Sequence, residues 1–251
     1  MISVKEKVTV MIQARMGSTR LPGKVLIPLC GKTVLWHVVS RVRASVGVDE
    51  IIVVTTTTSK DNVLLPEIEK CGAKVSRGSE DDVLARYYDA ARKSRADIIV
   101  RVTADCPLYD PKVLEEMLKK FFALKSEGKG ADYLSNVQQR TFPRGLDTEI
   151  FSFDALEKAH MSAIKKHDRE HVTPYIYNHP EKFSLSEYRN PVDLSNHRWT
   201  LDTQEDLQLI ETIYKNLYNE NKIFTTGEVL TFLEKNPDLV KINAHVEQKK
   251  V

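Results

Sequence analysis

Five short runs rich in β-branched residues, separated by longer amphipathic stretches, leave few folds open to the first half of this chain. "VTVMI" (8–12), "IIVVTT" (51–56), "AKVSR" (73–77), "DIIVRVT" (97–103) and "DYLSN" (132–136) read as strands. Between them "TVLWHVVSRVRAS", "NVLLPEIEKC", "SEDDVLARYYDAARKSRA" and "PKVLEEMLKKFFALKSEG" carry apolar residues at helical spacing. Ser79 or Glu80 is placed to start the third of these helices, and Pro111 suits the first turn of the fourth. Regular alternation of this kind predicts βαβ units, hence an α/β fold with a mostly parallel sheet covered by helices on both faces. Such sheets bind ligands beyond the carboxyl ends of their strands, where loops 13–24 and 104–110 fall.

The rhythm changes after residue 137. "QQRTFPRGLDTEIF" reads as a loop entering a strand, and a helical stretch follows from Phe153 to Lys166. "DREHVTPYIYNHPEKF" continues as a short helix, "SLSEYRNPVDL" suggests a strand, and two helices, "TQEDLQLIETIYKNLY" and "TGEVLTFLEKN", follow. We therefore expect a single domain over 1–251 in which 137–197 is a small inserted α+β segment, and a frayed polar tail, "HVEQKKV". A net charge of +2, from 37 basic and 35 acidic residues, argues against a nucleic-acid surface, so any anion site must be local. Cys30, Cys71 and Cys106 have neither disulfide-framework nor metal-ligand spacing, which points to a reducing cytoplasm. With no apolar run of about 18 residues and no signal-peptide order at the N-terminus, no membrane partner is expected.

The densest local signal is the loop in "MIQARMGSTRLPGKVL" (11–26), which brings Arg15, Arg20 and Lys24 together with Gly17 and Gly23. Three cations on a backbone that can approach a ligand closely suit an oxygen-rich anion such as a nucleoside triphosphate. The alternative is a surface loop with scattered basic residues. A Walker A loop is ruled out, because five residues separate the glycines and Val25, not Ser or Thr, follows Lys24. No G-x-G-x-x-G opens the first helix, so the dinucleotide fingerprint is missing too.

Through Ala14, Arg15, Ser18, Arg20, Leu21, Pro22, Gly23, Lys24 and Leu26, this loop resembles the A-R-x-x-S-x-R-L-P-G-K-x-L signature of cytidylyltransferases that activate ulosonic acids. "RVTADCPL" and "RWTLDTQEDL" resemble later stretches of the same family. With "RGSEDDVLARY", "PRGLDTE" and "DREHVTPYIY", the chain is similar nearly end to end to its spore coat polysaccharide biosynthesis protein F branch. The resemblance implies a Rossmann-like nucleotidyltransferase fold, a homodimer, and Mg2+ as cofactor. It also implies an enzyme that transfers CMP from CTP to a hydroxyl of a sugar acid, releasing pyrophosphate, in surface polysaccharide biosynthesis.

Carried onto this sequence, the resemblance makes Lys24, Arg15, Asp105 and Asp202 the catalytic set. Lys24 and Arg15 hold the β- and γ-phosphates, while Arg20 either joins them or braces the loop. Gln13, Ala14, Gly17 and Ser18 complete the phosphate loop, and Arg77, Ser79 and Asp82 are candidates for the base or ribose. Asp105 and Asp202 are the metal ligands, since magnesium takes hard oxygens and only one or two protein carboxylates. Purely local roles also exist: Asp105 as a turn residue before Pro107, Asp202 as a helix N-cap with Glu205 completing a capping box, and Ser79 and Asp82 as helix-start residues. For the acceptor, Arg144 can pair bidentately with a carboxylate. Asp147, Glu149, Arg169 and His171 can bond hydroxyls, His171 also serving as a possible general base, and 137–197 is the segment for acceptor binding, dimerisation or both. Trp199, Tyr175 and Tyr177 read as core. Two other functions compete. An NDP-sugar pyrophosphorylase would carry G-x-G-x-R-L and P-K-P, which are not seen, and a binding module without catalysis would have no need of Lys24, Asp105 and Asp202 together.

Overall fold

In the computed structural model, which describes residues 5–248, the first strand shows how the layers are built. Along β1 (Val8–Gln13), Val8, Val10 and Ile12 enter one core while Met11 enters another. The period-two alternation of a pleated strand thus feeds two helical layers. The remaining elements are a short ribbon of β2 (Pro28–Leu29) and β3 (Lys32–Thr33), then α1 (Val34–Arg43), β4 (Glu50–Thr56), α2 (Leu65–Lys70), β5 (Lys74–Gly78), α3 (Val83–Ser94), β6 (Ile98–Thr103) and α4 (Pro111–Ser126). After these come β7 (Tyr133–Ser135), β8 (Glu149–Ser152), α5 (Phe153–Ser162), α6 (Lys166–His171), α7 (Pro174–Tyr177), β9 (Leu185–Glu187), α8 (Gln204–Leu217) and α9 (Thr226–Lys235).

Seven strands form the main sheet in the order β5-β4-β1-β6-β8-β7-β9. β5, β4, β1 and β6 run parallel, β8 is antiparallel to both β6 and β7, and β9 is parallel to β7. The sheet is therefore mostly parallel, with α1, α2 and α4 packed on one face and α3, α5 and α7 on the other. A third core, around Leu146, Trp199, Leu201, Ile210 and Ile213, docks α8 and α9 against the end of the domain. The stretch 137–197 is threaded through this architecture: it gives β8 and β9 to the main sheet and α5, α6 and α7 to one face. Chain order reverses between β1 and β6, which opens a crevice at their carboxyl ends.

Two local expectations are corrected. The helix expected from Ser79 or Glu80 begins at Val83, because Asp82 is its N-cap and accepts from the Ala85 N–H. Ser79 Oγ accepts from Asp82 N at 3.0 Å, so Ser79 to Asp82 form a turn before the helix. The polar tail is not frayed where it is described. Val246 N donates to Asn243 O at 3.0 Å, and Gln248 Oε1 accepts from Arg198 Nη1 at 2.7 Å. Residues 249–251 lie outside the described residues.

His37 on α1 supplies a stability test. Its ring is buried, donates from Nε2 to the Leu29 carbonyl at 2.8 Å, and meets Trp36, Tyr214 and Tyr218 edge-on. Burial outweighs that hydrogen bond and, with Arg41 and Lys32 nearby, lowers the pKa from 6.5 to about 4. Between those values the unfolded chain binds the extra proton and the folded chain does not. The contribution is therefore complete above the unfolded pKa and is lost as pH falls toward the folded one, amounting to about 3 kcal/mol. Urea unfolding of the parent from about pH 7 to about pH 4.5 should show this loss, and His37→Gln should lack that share of it. Parallel curves for the two proteins would remove His37 as the cause.

Candidate active site

The loop after β1 is fixed at both ends. Ala14 N donates to Val54 O at 3.1 Å, Met16 N donates to Asp61 Oδ1 at 2.7 Å, and Ser18 Oγ accepts from Leu21 N at 3.3 Å. Asp61 is buried and also takes the hydroxyl of Thr56, so the loop rests on a carboxylate that no motif had marked. Gly23 has φ +69°, a left-handed conformation that favours glycine, and it turns the chain into a single 3₁₀ turn, Lys24–Leu26. That turn aims Lys24 back across the crevice.

There Lys24 Nζ donates to Asp105 Oδ2 at 2.6 Å and to Asp202 Oδ1 at 2.7 Å. Asp105 follows β6 and is oriented by Thr103, whose hydroxyl donates to Oδ1 at 2.6 Å. Asp202 also receives Arg20 Nη2 at 2.8 Å and Arg198 Nη2 at 2.9 Å on Oδ2. Burial disfavours the Lys24 ammonium, yet Asp105 and Asp202 outweigh it and raise its pKa above the ordinary lysine value. Burial likewise works against the Asp105 carboxylate, and Lys24 and Thr103 bring its pKa below the usual range. Beside this cluster lies a cavity of about 260 Å³ lined by Gln13, Arg15, Ser18, Arg20 and Lys24 among others. Among the described residues Arg15 is held only by Glu80 at 3.6 Å, across two exposed side chains. Gln13 Oε1 is buried without a partner among the described residues.

Asp202 is not a helix cap. Thr203 caps α8 and forms a capping box with Asp206, one position later than Asp202 with Glu205. The reason is physical: the Asp202 carboxylate is already committed to three cations, and the Thr203 hydroxyl lies nearest the free Asp206 N–H. Asp206, fully buried, accepts from the N–H groups of Asp202 and Thr203, both at 3.0 Å, from Arg198 Nε at 2.9 Å, and from Asn243 Nδ2 at 2.9 Å. It fixes the backbone that carries Asp202, and neither it nor Arg198 stood out in the sequence.

A second cavity, of about 760 Å³, shares Arg20, Thr103, Asp105 and Asp202 with the first. Arg144 and Asp147 reach it, with Thr200 and Gln248. Arg144 N donates to His197 O at 3.0 Å, and its carbonyl accepts from Trp199 N at 2.7 Å. Gly145 makes that approach possible: it has φ +106°, and an added Cβ would lie 2.6 Å from the Trp199 carbonyl carbon. Burial and then the adjacent Arg140 lower the pKa of Arg144, whose guanidinium has no hydrogen bond or ion pair among the described residues. Asp147 is held bidentately by Arg140 at 2.6 and 2.9 Å. Glu149 lines the same cavity, its carboxylate held by Arg101, Tyr133 and Thr173.

Other candidates stand apart from these cavities. Arg169 forms a bidentate pair with Asp82, at 3.0 and 2.6 Å, locking α6 to the start of α3. Arg77 binds the carbonyls of Thr56 and Thr58 and the side chain of Asn62. Exposed Ser79 serves the turn already described. His171 lies beside His167, with ring centroids 4.8 Å apart, and burial, only partly countered by Glu170, lowers its pKa. It lines neither cavity. Trp199 and Tyr175 are buried in the cores, and Tyr177 packs against one of them.

A mostly parallel sheet with a cation-rich loop at its switch point, facing two carboxylates, defines a nucleotidyltransferase-type crevice. The Cytidylyltransferase family model matches residues 9–236. A spore coat polysaccharide biosynthesis protein SpsF of Bacillus subtilis is 34% identical over 234 residues, covering 90% of this chain and 94% of that one. A solved cytidylyltransferase from Leptospira borgpetersenii serovar Hardjo-bovis has a TM-score of 0.88 at 37% identity, covering 98% of this chain and 100% of that chain. The fold also matches a CMP:2-keto-3-deoxy-manno-octonic acid synthetase complexed with CTP, with TM-score 0.66 at 18% identity, covering 85% of this chain and 100% of that one. The chain belongs to the cytidylyltransferase family and is an enzyme of that class.

Asp206→Ala should be costly, because it strips Arg198 of its buried partner and leaves two backbone N–H groups unmet. A loss of about 3–5 kcal/mol in unfolding free energy is expected. Denaturant titration checks it, and a loss below about 1 kcal/mol would show that water or neighbouring groups take over these bonds.

Proposed function

We propose that this cytidylyltransferase transfers CMP from CTP to a hydroxyl of a sugar acid, in the biosynthesis of a surface polysaccharide. The observation that carries the reading is the pair of adjoining cavities: one edged by Arg15, Arg20 and Lys24, the other presenting Arg144, with Asp105 and Asp202 between them. The hydroxyl oxygen forms a bond to the α-phosphorus, the bond from that phosphorus to the β-phosphate bridging oxygen breaks, and pyrophosphate leaves. Such a transfer needs in-line placement and neutralised charge more than covalent chemistry by the protein. Lys24, Arg15 and Arg20 hold the β- and γ-phosphates and stabilise the departing pyrophosphate. Arg144 orients the acceptor by its carboxylate, and Asp147, Thr200 and Gln248 offer hydrogen bonds to hydroxyls.

Asp105 and Asp202 suit magnesium, because one oxygen of each converges on a single point, at 2.6 and 2.7 Å from Lys24 Nζ, next to open space. Two carboxylates match a cation that draws its other ligands from phosphate and water. Bound there, magnesium would offset negative charge on the triphosphate. The name of the Bacillus subtilis relative supports a polysaccharide pathway, and the name of the matched family supports a cytidine nucleotide.

Thermal unfolding with magnesium and CTP, UTP, GTP or ATP tests the nucleotide, since a ligand of the folded state raises the midpoint. CTP should give the largest shift, and an equal response to all four would refute cytidine selection. Turnover with labelled CTP and a panel of ulosonic acids then tests the acceptor. Arg144→Ala should lower acceptor kcat/KM by the equivalent of roughly 2–4 kcal/mol, while CTP affinity by calorimetry stays within a few-fold. A large loss of CTP affinity would instead put Arg144 on the nucleotide side.

A further inference from the structure

Lys24 occupies the one point that both Asp105 and Asp202 face, with Nζ 2.6 and 2.7 Å from their oxygens. An ammonium and a divalent cation cannot share that point, since they carry like charge and need the same lone pairs. The cluster is also electrically complete. Lys24, Arg20 and Arg198 contact Asp105, Asp202 and Asp206, three cations against three carboxylates. A free divalent ion arriving here meets no uncompensated negative charge among the described residues of the cluster.

Taking CTP as the nucleotide, as proposed above, we infer that Lys24 holds the cation position in the nucleotide-free protein, so that the ligand of this site is a metal–nucleotide complex taken up as one unit. The triphosphate offers Lys24 and Arg20 a denser set of anionic oxygens in the cavity they already line. When they turn to it, Asp105 loses Lys24 and Asp202 loses two of its three cations, where a phosphate-bound metal ion needs protein oxygens. The backbone need not move: the turn at Gly23 fixes the Lys24 Cα, and the long flexible stem of lysine allows the swing. Arg198 stays behind on buried Asp206 and continues to orient Asp202. Thermodynamic reciprocity follows, because whatever factor the nucleotide adds to metal affinity the metal adds to nucleotide affinity.

The test uses Mn2+ alone, followed by loss of the free-ion electron paramagnetic resonance signal on titration with protein. The nucleotide-free parent should show no saturable binding up to about millimolar metal, whereas Lys24→Met should bind on the order of tenfold more tightly or better. Adding Asp105→Asn to Lys24→Met should abolish that gain. Saturable Mn2+ binding by the nucleotide-free parent, or no gain in a Lys24→Met protein that is folded by circular dichroism, overturns the inference. If Lys24→Met does not fold, the parent decides: enhanced water-proton relaxation by Mn2+ that requires CTP supports the inference, and the same enhancement without CTP overturns it. Should calorimetry find that CTP does not bind the parent, the proposed reaction fails on its own. The contrast between the parent and Lys24→Met with Mn2+ still decides what Lys24 does.

Discussion

The ammonium of Lys24 joins three pieces of chain that are remote in sequence: the loop after β1, the end of β6 and the approach to α8. Among the described residues, β1 pairs with β4 and β6 and no main-sheet hydrogen bond links it to the α8 segment. That segment is docked by the third core, by the Leu201 N–H on the Asp105 carbonyl at 2.8 Å, and by this ion pair. Two half-buried carboxylates facing each other would repel strongly without a cation between them. Yet partly buried ion pairs add little net stability after desolvation, and apolar replacements often do as well. The arrangement is therefore better accounted for by what it does for a polyanionic ligand than by what it adds to folding.

Support for the cluster radiates from Asp206 and Gly145. Asp206 binds the backbone on which Asp202 rides, and the Asn243 side chain bridges it to the Arg198 carbonyl, so the segment 243–248 is tied to the same hub. Gly145 lets the loop carrying Arg144 lie against Trp199 and Thr200 at a distance no other side chain permits. These two contacts set the walls of the larger cavity relative to the carboxylates. A shift in either would move a cation and a carboxylate together, which is why the site couples so closely to the packing of α8.

The fold was legible because its signals are local and periodic. Val8, Val10, Ile12 and Met11 announce a strand buried on both faces, and the apolar spacing in 111–126 announces α4. Lys24, Asp105 and Asp202 came from motif wording, and the geometry brings them to one point. What stayed hidden depends on pairing across the chain. Nothing near Arg169 says that it meets Asp82 at the other end of the α3–α6 contact, and nothing near Gln248 says that Arg198 will hold it. In "LDTQED" the sequence marks Asp202 with Glu205 as a capping box, and the tertiary claim of three cations on Asp202 leaves the cap to Thr203 with Asp206. The tail looked frayed for the same reason: its composition is polar, and the side chain that anchors Gln248, Arg198, lies 50 residues away.

The two cavities differ in how their charges are arranged, and that difference bears on what each can accept. In the smaller cavity, Lys24 and Arg20 are paired with carboxylates, so in the reading proposed above their charge becomes available to a ligand only when those pairs open. On the other side, Arg140 is locked to Asp147 and Arg101 to Glu149, and Arg144 alone among these three has no carboxylate partner among the described residues. Fixed pairs make a rigid polar wall suited to hydroxyls, and one unmatched guanidinium suits a single carboxylate. A net charge of +2 over the whole chain conceals this division entirely. Local pairing, more than the total, determines which anions this crevice can hold.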